Sequence, residues 1–141
     1  MTAAWLPWAL GSAGFAALTA ILAKVGVSGV NPDFATLVRS VIIVGVCALF
    51  VTVTGQWQTP GTLSRRTLLF LVLSGLATGA SWLCYFRALQ LGEAAKVAPV
   101  DKLSVVLVAL LGVLLLGERL SLTALAGVSL VGLGAVLVAL G

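Results

Sequence analysis

Four charged side chains interrupt long apolar runs of the sequence: those of Arg39, Arg87, Asp101 and Lys102. A charge at membrane depth costs on the order of 3 kcal/mol on insertion scales, so such residues point to a functional site. Asp101 and Lys102 would point about 100° apart on a helix, so we expect each to pair elsewhere, Asp101 with Arg39 or Arg87. The four residues predict a polar binding or proton-coupling site with Asp101 as its main carboxylate. The alternative is a structural ion pair at the mouth of a helix bundle.

Residues near these charges extend the candidate site. Pro99 removes a backbone donor and should disturb the helix that carries Asp101. Freed backbone groups beside charged side chains suit a polar cavity. Trp82 and Tyr85, spaced i, i+3, share a helix face and form either the aromatic wall of a pocket for apolar or cationic substrates or part of an interfacial belt. The candidate substrate-binding or coupling residues are Arg39, Trp82, Tyr85, Arg87, Asp101 and Lys102, with Pro99 breaking the helix beside them.

The composition says where these residues must lie. The chain has 141 residues, of which 61% are hydrophobic and 9% are charged, and its mean hydropathy is +1.22. A soluble domain is about a quarter charged, so a water-soluble fold is excluded. The apolar runs are continuous, whereas strands of a membrane barrel alternate with period 2. The sequence therefore predicts an all-α polytopic membrane protein with short loops.

Five apolar runs are long enough to span a bilayer as helices. A single transmembrane domain, residues 1–141, is expected to contain spans at about 4–23, 34–54, 68–89, 97–116 and 120–140. Asp33, which follows Pro32, is a reasonable start signal for the second helix. Gly75 and Gly79 form a GxxxG pattern that predicts close packing of the third helix against a neighbour.

Enzymatic chemistry has little support in the sequence. The chain has no His, the commonest general base and a common metal ligand. Cys47 and Cys84 lie inside apolar runs, which favours small buried hydrophobes over a disulfide framework. We therefore expect no enzyme activity, no metal and no cofactor. The basic pI near 9.7 is interpreted as loop charge, with no nucleic-acid partner.

The loop charges give almost no orientation signal. One side of the membrane would hold Arg65, Arg66 and Arg119, and the other would hold Lys24 and Lys96 outside the apolar runs. Three basic residues against two is a weak bias under the positive-inside rule. Either another feature sets the orientation or the chain inserts both ways.

The chain resembles a known family over essentially its whole length, and the most diagnostic residues are in its second half. The residues from Tyr85 onward read YFRALQLGEAAKVAPVDKLSVVLVALLGVLLLGERLSLTALAGVSLVGLGAVLVA. This segment resembles the closing half of an EamA repeat of the drug/metabolite transporter superfamily, most clearly in LLGVLLLGERLS. The segment PVDKLS is similar to the five-helix bacterial and archaeal transporter group, which carries a single repeat.

The resemblance implies a function and an assembly. It implies a multi-pass secondary transporter of the inner (cytoplasmic) membrane, an exporter or exchanger of a small metabolite or drug-like solute. Most members carry two inverted repeats, so one repeat implies a homodimer, possibly antiparallel. Its partners would be a small-molecule substrate, the lipid bilayer and a second copy. Two alternatives remain open at this point: a non-transporting membrane scaffold subunit and a lipid-linked sugar flippase subunit.

Overall fold

Helices account for all the regular structure of the described part of the chain. The computed structural model describes residues 4–141 and contains six α-helices, a short 3₁₀ turn at Pro60–Thr62 and, within those residues, no strand. The helices are α1 Leu6–Gly26, α2 Pro32–Val53, α3 Arg65–Leu91, α4 Ala94–Asp101, α5 Leu103–Leu116 and α6 Leu122–Leu140. Because α4 and α5 together form one span, five spans are long and apolar enough to cross a membrane. The predicted fold class is confirmed.

The third and fourth spans begin earlier than predicted, at Arg65 and Ala94, whereas the fifth begins later, at Leu122. α3 begins at Arg65 and ends at Leu91, and α4 begins at Ala94, so the loop between them is only two residues long. The sequence marks the lipid-embedded part of a helix by its apolarity, but the helix itself continues through polar residues at the interface. Lys24 lies in the last turn of α1, where a cation interacts favourably with the helix dipole.

The sequence suggested Asp33 as the start signal of α2, but the residue that caps the helix is Asn31. Asn31 has extended backbone geometry, and its side-chain oxygen accepts hydrogen bonds from the N–H groups of Asp33 and Phe34 at 2.9 and 3.1 Å. Pro32 follows at the first helical position, where its missing N–H has no cost. This cap leaves the carboxylate of Asp33 available for a contact with another helix.

The fourth span is interrupted at Lys102, three residues after Pro99, which itself lies inside α4. α4 ends at Asp101, Lys102 lies in a turn, and α5 begins at Leu103. Proline has no N–H to donate to the carbonyl four residues earlier, so the bond that Pro99 removes is in the first turn of α4, and the break lies beyond it. The Lys102 N–H instead donates to the Pro99 carbonyl at 3.0 Å, and Val105 donates to Lys102 at 2.9 Å. Both bonds join residues three apart, as in a tightened 3₁₀ turn.

The chain divides into two compact units. One contains the chain up to Leu22 together with Leu91–Gly141, and the other contains Ala23–Gln90. In the first unit, α4, α5 and α6 pack against one another. Gly132 of α6 lies against α5, since Val106 Cγ2 is 3.0 Å from where a Cβ at Gly132 would stand. A small residue there allows the backbones to come together.

The turn between α5 and α6 is also built on glycines. Gly117 ends α5 in the left-handed conformation, with φ of 69°, which glycine adopts without steric cost. The Glu118 N–H donates to the Gly112 carbonyl at 3.1 Å. The Glu118 side chain folds back so that Oε2 stands 2.7 Å from where a Cβ at Gly112 would lie.

In the unit Ala23–Gln90, α2 and α3 run antiparallel, and its buried side chains lie near the start of α2 and the end of α3. Val27, Thr36, Phe86 and Leu89 are almost fully buried there. The loop of residues 54–64 joins the opposite ends of the two helices. The buried side chains of this unit are therefore at the same end as Asp33, Arg39 and Arg87, whereas Arg65 and Arg66 lie at the other end.

The prediction of close packing at Gly75 and Gly79 does not hold within this chain. No atom outside their own helix turn stands within 4 Å of where a Cβ would lie at either residue, among the residues described. α2 and α3 meet instead through long side chains in the last three turns of α3, at Trp82 and Arg87, whereas the two glycines lie in the middle of the helix. Among residues 4–141, the two glycines are therefore not points of close helix approach.

A substitution at Gly132 tests the contact between α5 and α6. Gly132→Val should lower the free energy of unfolding by about 1–3 kcal/mol, because the added side chain must displace Val106. The matched control is Gly134→Val on the same helix, where a Cβ has no atom within 4 Å among the described residues. The Tm of both variants in detergent is the measurement, and equal Tm values would contradict the assignment.

Candidate functional site

An ion pair joins the start of α2 to the end of α3. Arg87 Nη2 donates to both carboxylate oxygens of Asp33, at 3.0 Å to Oδ1 and 2.8 Å to Oδ2. Asp33 lies in the first turn of α2, where a negative charge is favoured by the helix dipole. The pair forms part of the wall of a cleft of about 590 Å³, which is also lined by Leu83, Cys84 and Ala88.

Asp33 is a site residue that the sequence did not single out. Its position near a helix end suggested a solvated charge. The sequence could have indicated Asp33 through topology, because consecutive antiparallel spans place the first turn of α2 beside the last turns of α3. Gln90 and Lys24 were missed for the same reason. Gln90 Nε2 donates to the Val30 carbonyl at 2.9 Å, and Lys24 Nζ donates to the Leu89 carbonyl at 2.6 Å.

Arg39 lies on the face of an aromatic side chain. Its guanidinium carbon is 3.5 Å from the centre of the Trp82 ring and 5.8 Å from that of Phe86. This distance to Trp82 is well inside the range of a cation–π contact. Because Arg39 is on α2 and Trp82 is on α3, the contact is a second bridge between the two helices.

Trp82 is the centre of a small aromatic cluster formed with Tyr85 and Phe86. Its ring is 5.5 Å from that of Tyr85, with planes at 81°, and 5.9 Å from that of Phe86, with planes at 66°. These edge-to-face arrangements are the preferred geometry of aromatic pairs. The predicted proximity of Trp82 and Tyr85 is confirmed, and their role in substrate binding stays a prediction.

Asp101 and Lys102 pair with each other, contrary to the expectation from ideal helical geometry. Lys102 Nζ lies 3.1 Å from Asp101 Oδ2. The helix ends at Asp101, and the long Lys102 side chain leaves from a turn, so the angular separation of an unbroken helix does not apply. The expected pairing of Asp101 with Arg39 or Arg87 is replaced by this local pair.

The candidate residues thus fall into two groups. Arg39, Trp82, Tyr85 and Arg87 belong to the unit Ala23–Gln90, and Pro99, Asp101 and Lys102 belong to the other unit. Within residues 4–141, no group of three or more His, Cys, Asp and Glu side chains is arranged to hold a metal ion. Cys47 and Cys84 are exposed free thiols, not the buried hydrophobes that the sequence suggested.

The helical spans and intramembrane charges define a polytopic membrane protein, and comparison with known proteins gives its class. The EamA-like transporter family model matches residues 3–140. The chain belongs to this family. It is 61% identical over 139 residues to a Sinorhizobium sp. protein named "Uncharacterized transporter in cobO 3'region", with 99% of each chain covered. No solved structure matches the chain. The protein is therefore a multi-pass membrane transporter.

A double-mutant cycle tests the bridge between Asp33 and Arg87. Asp33→Asn and Arg87→Gln should each lower Tm in detergent, because each leaves one charge without its partner. The double variant should lose less stability than the sum of the two single losses. The expected coupling is only about 0.5 kcal/mol, because exposed ion pairs couple weakly. Strictly additive losses would show that the two side chains do not interact.

Proposed function

We propose that the protein is a secondary transporter that exports or exchanges a small metabolite or drug-like solute across the cytoplasmic membrane, as an antiparallel homodimer. Its single domain of five spans would supply one half of the assembly. The observation that carries the proposal is the broken fourth span, in which Asp101 and Lys102 interrupt Ala94–Leu116. Family membership supports transport as the activity, and the break in the fourth span supports that region as its binding site.

The break is suited to transport for a physical reason. Two charges inside a span are costly in hydrocarbon, and they are tolerated where they face protein or a water-filled cavity. Interrupted helices also leave backbone groups free for a solute or an ion. Asp101 is half-buried and its partner Lys102 is exposed, so a solute amine or a proton can compete with Lys102 for the carboxylate. These features support Asp101 as the binding or coupling group.

The assembly is proposed from repeat number and loop charge. Family members with two inverted repeats form both halves of the transporter from one chain, whereas this chain has five spans. The near balance of loop charge, three basic residues against two, makes the two orientations similar in insertion energy. The absence of a close helix approach at Gly75 and Gly79, among the residues described, is compatible with a contact between copies.

Neutralising Asp101 tests the proposed coupling group. Asp101→Asn should abolish transport while leaving membrane insertion intact, because the amide keeps the volume but loses the charge. Glu93→Gln is the matched control, since Glu93 precedes α4 and its side chain makes no cap hydrogen bond. The measurement is solid-supported-membrane electrophysiology on reconstituted protein with amines, amino acids and sugars. Wild-type currents in Asp101→Asn would contradict the assignment.

Cysteine accessibility tests the antiparallel assembly. With Cys47 and Cys84 replaced by Ala, single Ser28→Cys and Gln58→Cys variants place thiols in the first and second loops. If the chain inserts both ways, an impermeant maleimide should label part of each population on intact cells. Two Lys residues added at the N-terminus should bias orientation and reduce transport, and an oppositely biased copy should restore it. Labelling of only one of the two positions would exclude antiparallel pairing.

A further inference from the structure

The Arg39 guanidinium is held by its face and not by its hydrogen-bonding edge. It is half-buried and lies 3.5 Å from the Trp82 ring centre. The five N–H donors of arginine lie in the guanidinium plane, so stacking on a ring uses none of them. In the part of the chain that the structure describes, Arg39 makes ring contacts with Trp82 and Phe86 but no hydrogen bond or ion pair.

No carboxylate of its own unit is left to neutralise Arg39. Asp33 is the sole acidic residue of Ala23–Gln90, and Arg87 engages both of its oxygens. The same segment contains four further basic residues besides Arg39: Lys24, Arg65, Arg66 and Arg87. Arg65 and Arg66 begin α3 at its other end, so at the aromatic end the single carboxylate of Asp33 faces Arg39, Arg87 and Lys24, and a net positive charge remains.

The depth of Arg39 makes this charge consequential. It lies seven residues after Pro32, the first residue of α2, or about 10 Å along the helix axis. A guanidinium at such a position needs a partner, because unpaired charges in a span are costly. The stack on Trp82 fixes the group against α3 and leaves its edge available.

We propose that Arg39, stacked on Trp82, forms an oxyanion-binding subsite. The planar guanidinium edge would donate paired hydrogen bonds to a carboxylate or phosphate group, the geometry for which arginine is suited. The Trp82 ring would hold the guanidinium of Arg39 in a fixed orientation before the ligand binds. The face of Trp82 that Arg39 covers is closed to a cationic solute, so the subsite selects against amines. As a substrate subsite, it rests on the proposed transport function.

The oxyanion has two chemical sources, which one experiment separates. A solute carboxylate would come from water, and a phosphate group would come from an anionic lipid. Trp82 reports both, because its emission depends on the group stacked against it. The probe is the full chain with Trp5→Phe, Trp8→Phe and Trp57→Phe, so that Trp82 is the single tryptophan, in phosphatidylcholine nanodiscs.

Three small solutes of matched length provide the titration. Butyrate should produce a saturable change in Trp82 emission, whereas n-butylamine and butyramide should not. Arg39→Gln should weaken the apparent butyrate affinity at least tenfold, and Arg39→Lys should retain part of it because the charge remains. Arg66→Gln is the matched control: Arg66 lies 5.9 Å from the Phe70 ring centre on α3, and its loss should leave the titration unchanged.

The remaining outcomes assign or overturn the subsite. A change in Trp82 emission on adding phosphatidylglycerol in the absence of butyrate, if it requires Arg39, supports the subsite and assigns its ligand to lipid. The subsite is overturned if the parent protein shows no anion-selective response and the Arg39→Gln variant loses only thermal stability. Butyrate binding without any transport current would contradict the proposed function and leave the subsite intact. Transport that persists unchanged in Arg39→Gln would remove its substrate role and leave transport intact.

Discussion

The absence of water inside a bilayer is the constraint on which this structure depends. Every charge placed in a span needs a partner from the protein, because solvent cannot supply one. Three arrangements meet this need here. Arg87 finds a carboxylate on the neighbouring helix, Arg39 lies on an indole face, and Asp101 takes the lysine beside it at a helix break.

The two units use different means to hold their helices together. α5 and α6 approach closely at Gly132, where a missing side chain gives room for Val106. α2 and α3 are bridged by long side chains, with Arg87 contacting Asp33 and Arg39 contacting Trp82. Backbone proximity gives a contact that is insensitive to charge. Long polar bridges are specific but can be exchanged for other polar partners, which suits the part of the chain where we place an oxyanion.

The sequence predicted those features that depend on one segment alone. Continuous apolar runs identified five spans, Pro99 indicated a break in the fourth of them, and the i, i+3 spacing brought Trp82 and Tyr85 together. It failed where two segments had to be matched. Helical periodicity does not say which side chain on α2 faces Arg87, so Asp33 was passed over, and the glycine pattern at Gly75 and Gly79 does not name a neighbour. The pairing of Asp101 with Lys102 was missed because an unbroken helix was assumed.

The short glycine turn after α5 has a mechanical consequence. Gly117 reverses the chain within a few residues, and Glu118 binds back to the Gly112 carbonyl. A connection this short ties the end of α5 to the start of α6, so neither can slide along its axis without the other. The turn at Lys102 is likewise bonded to α4, through its N–H and the Pro99 carbonyl. Because α6 packs against both α4 and α5, a shift of α5 along its axis would have to carry all three helices together.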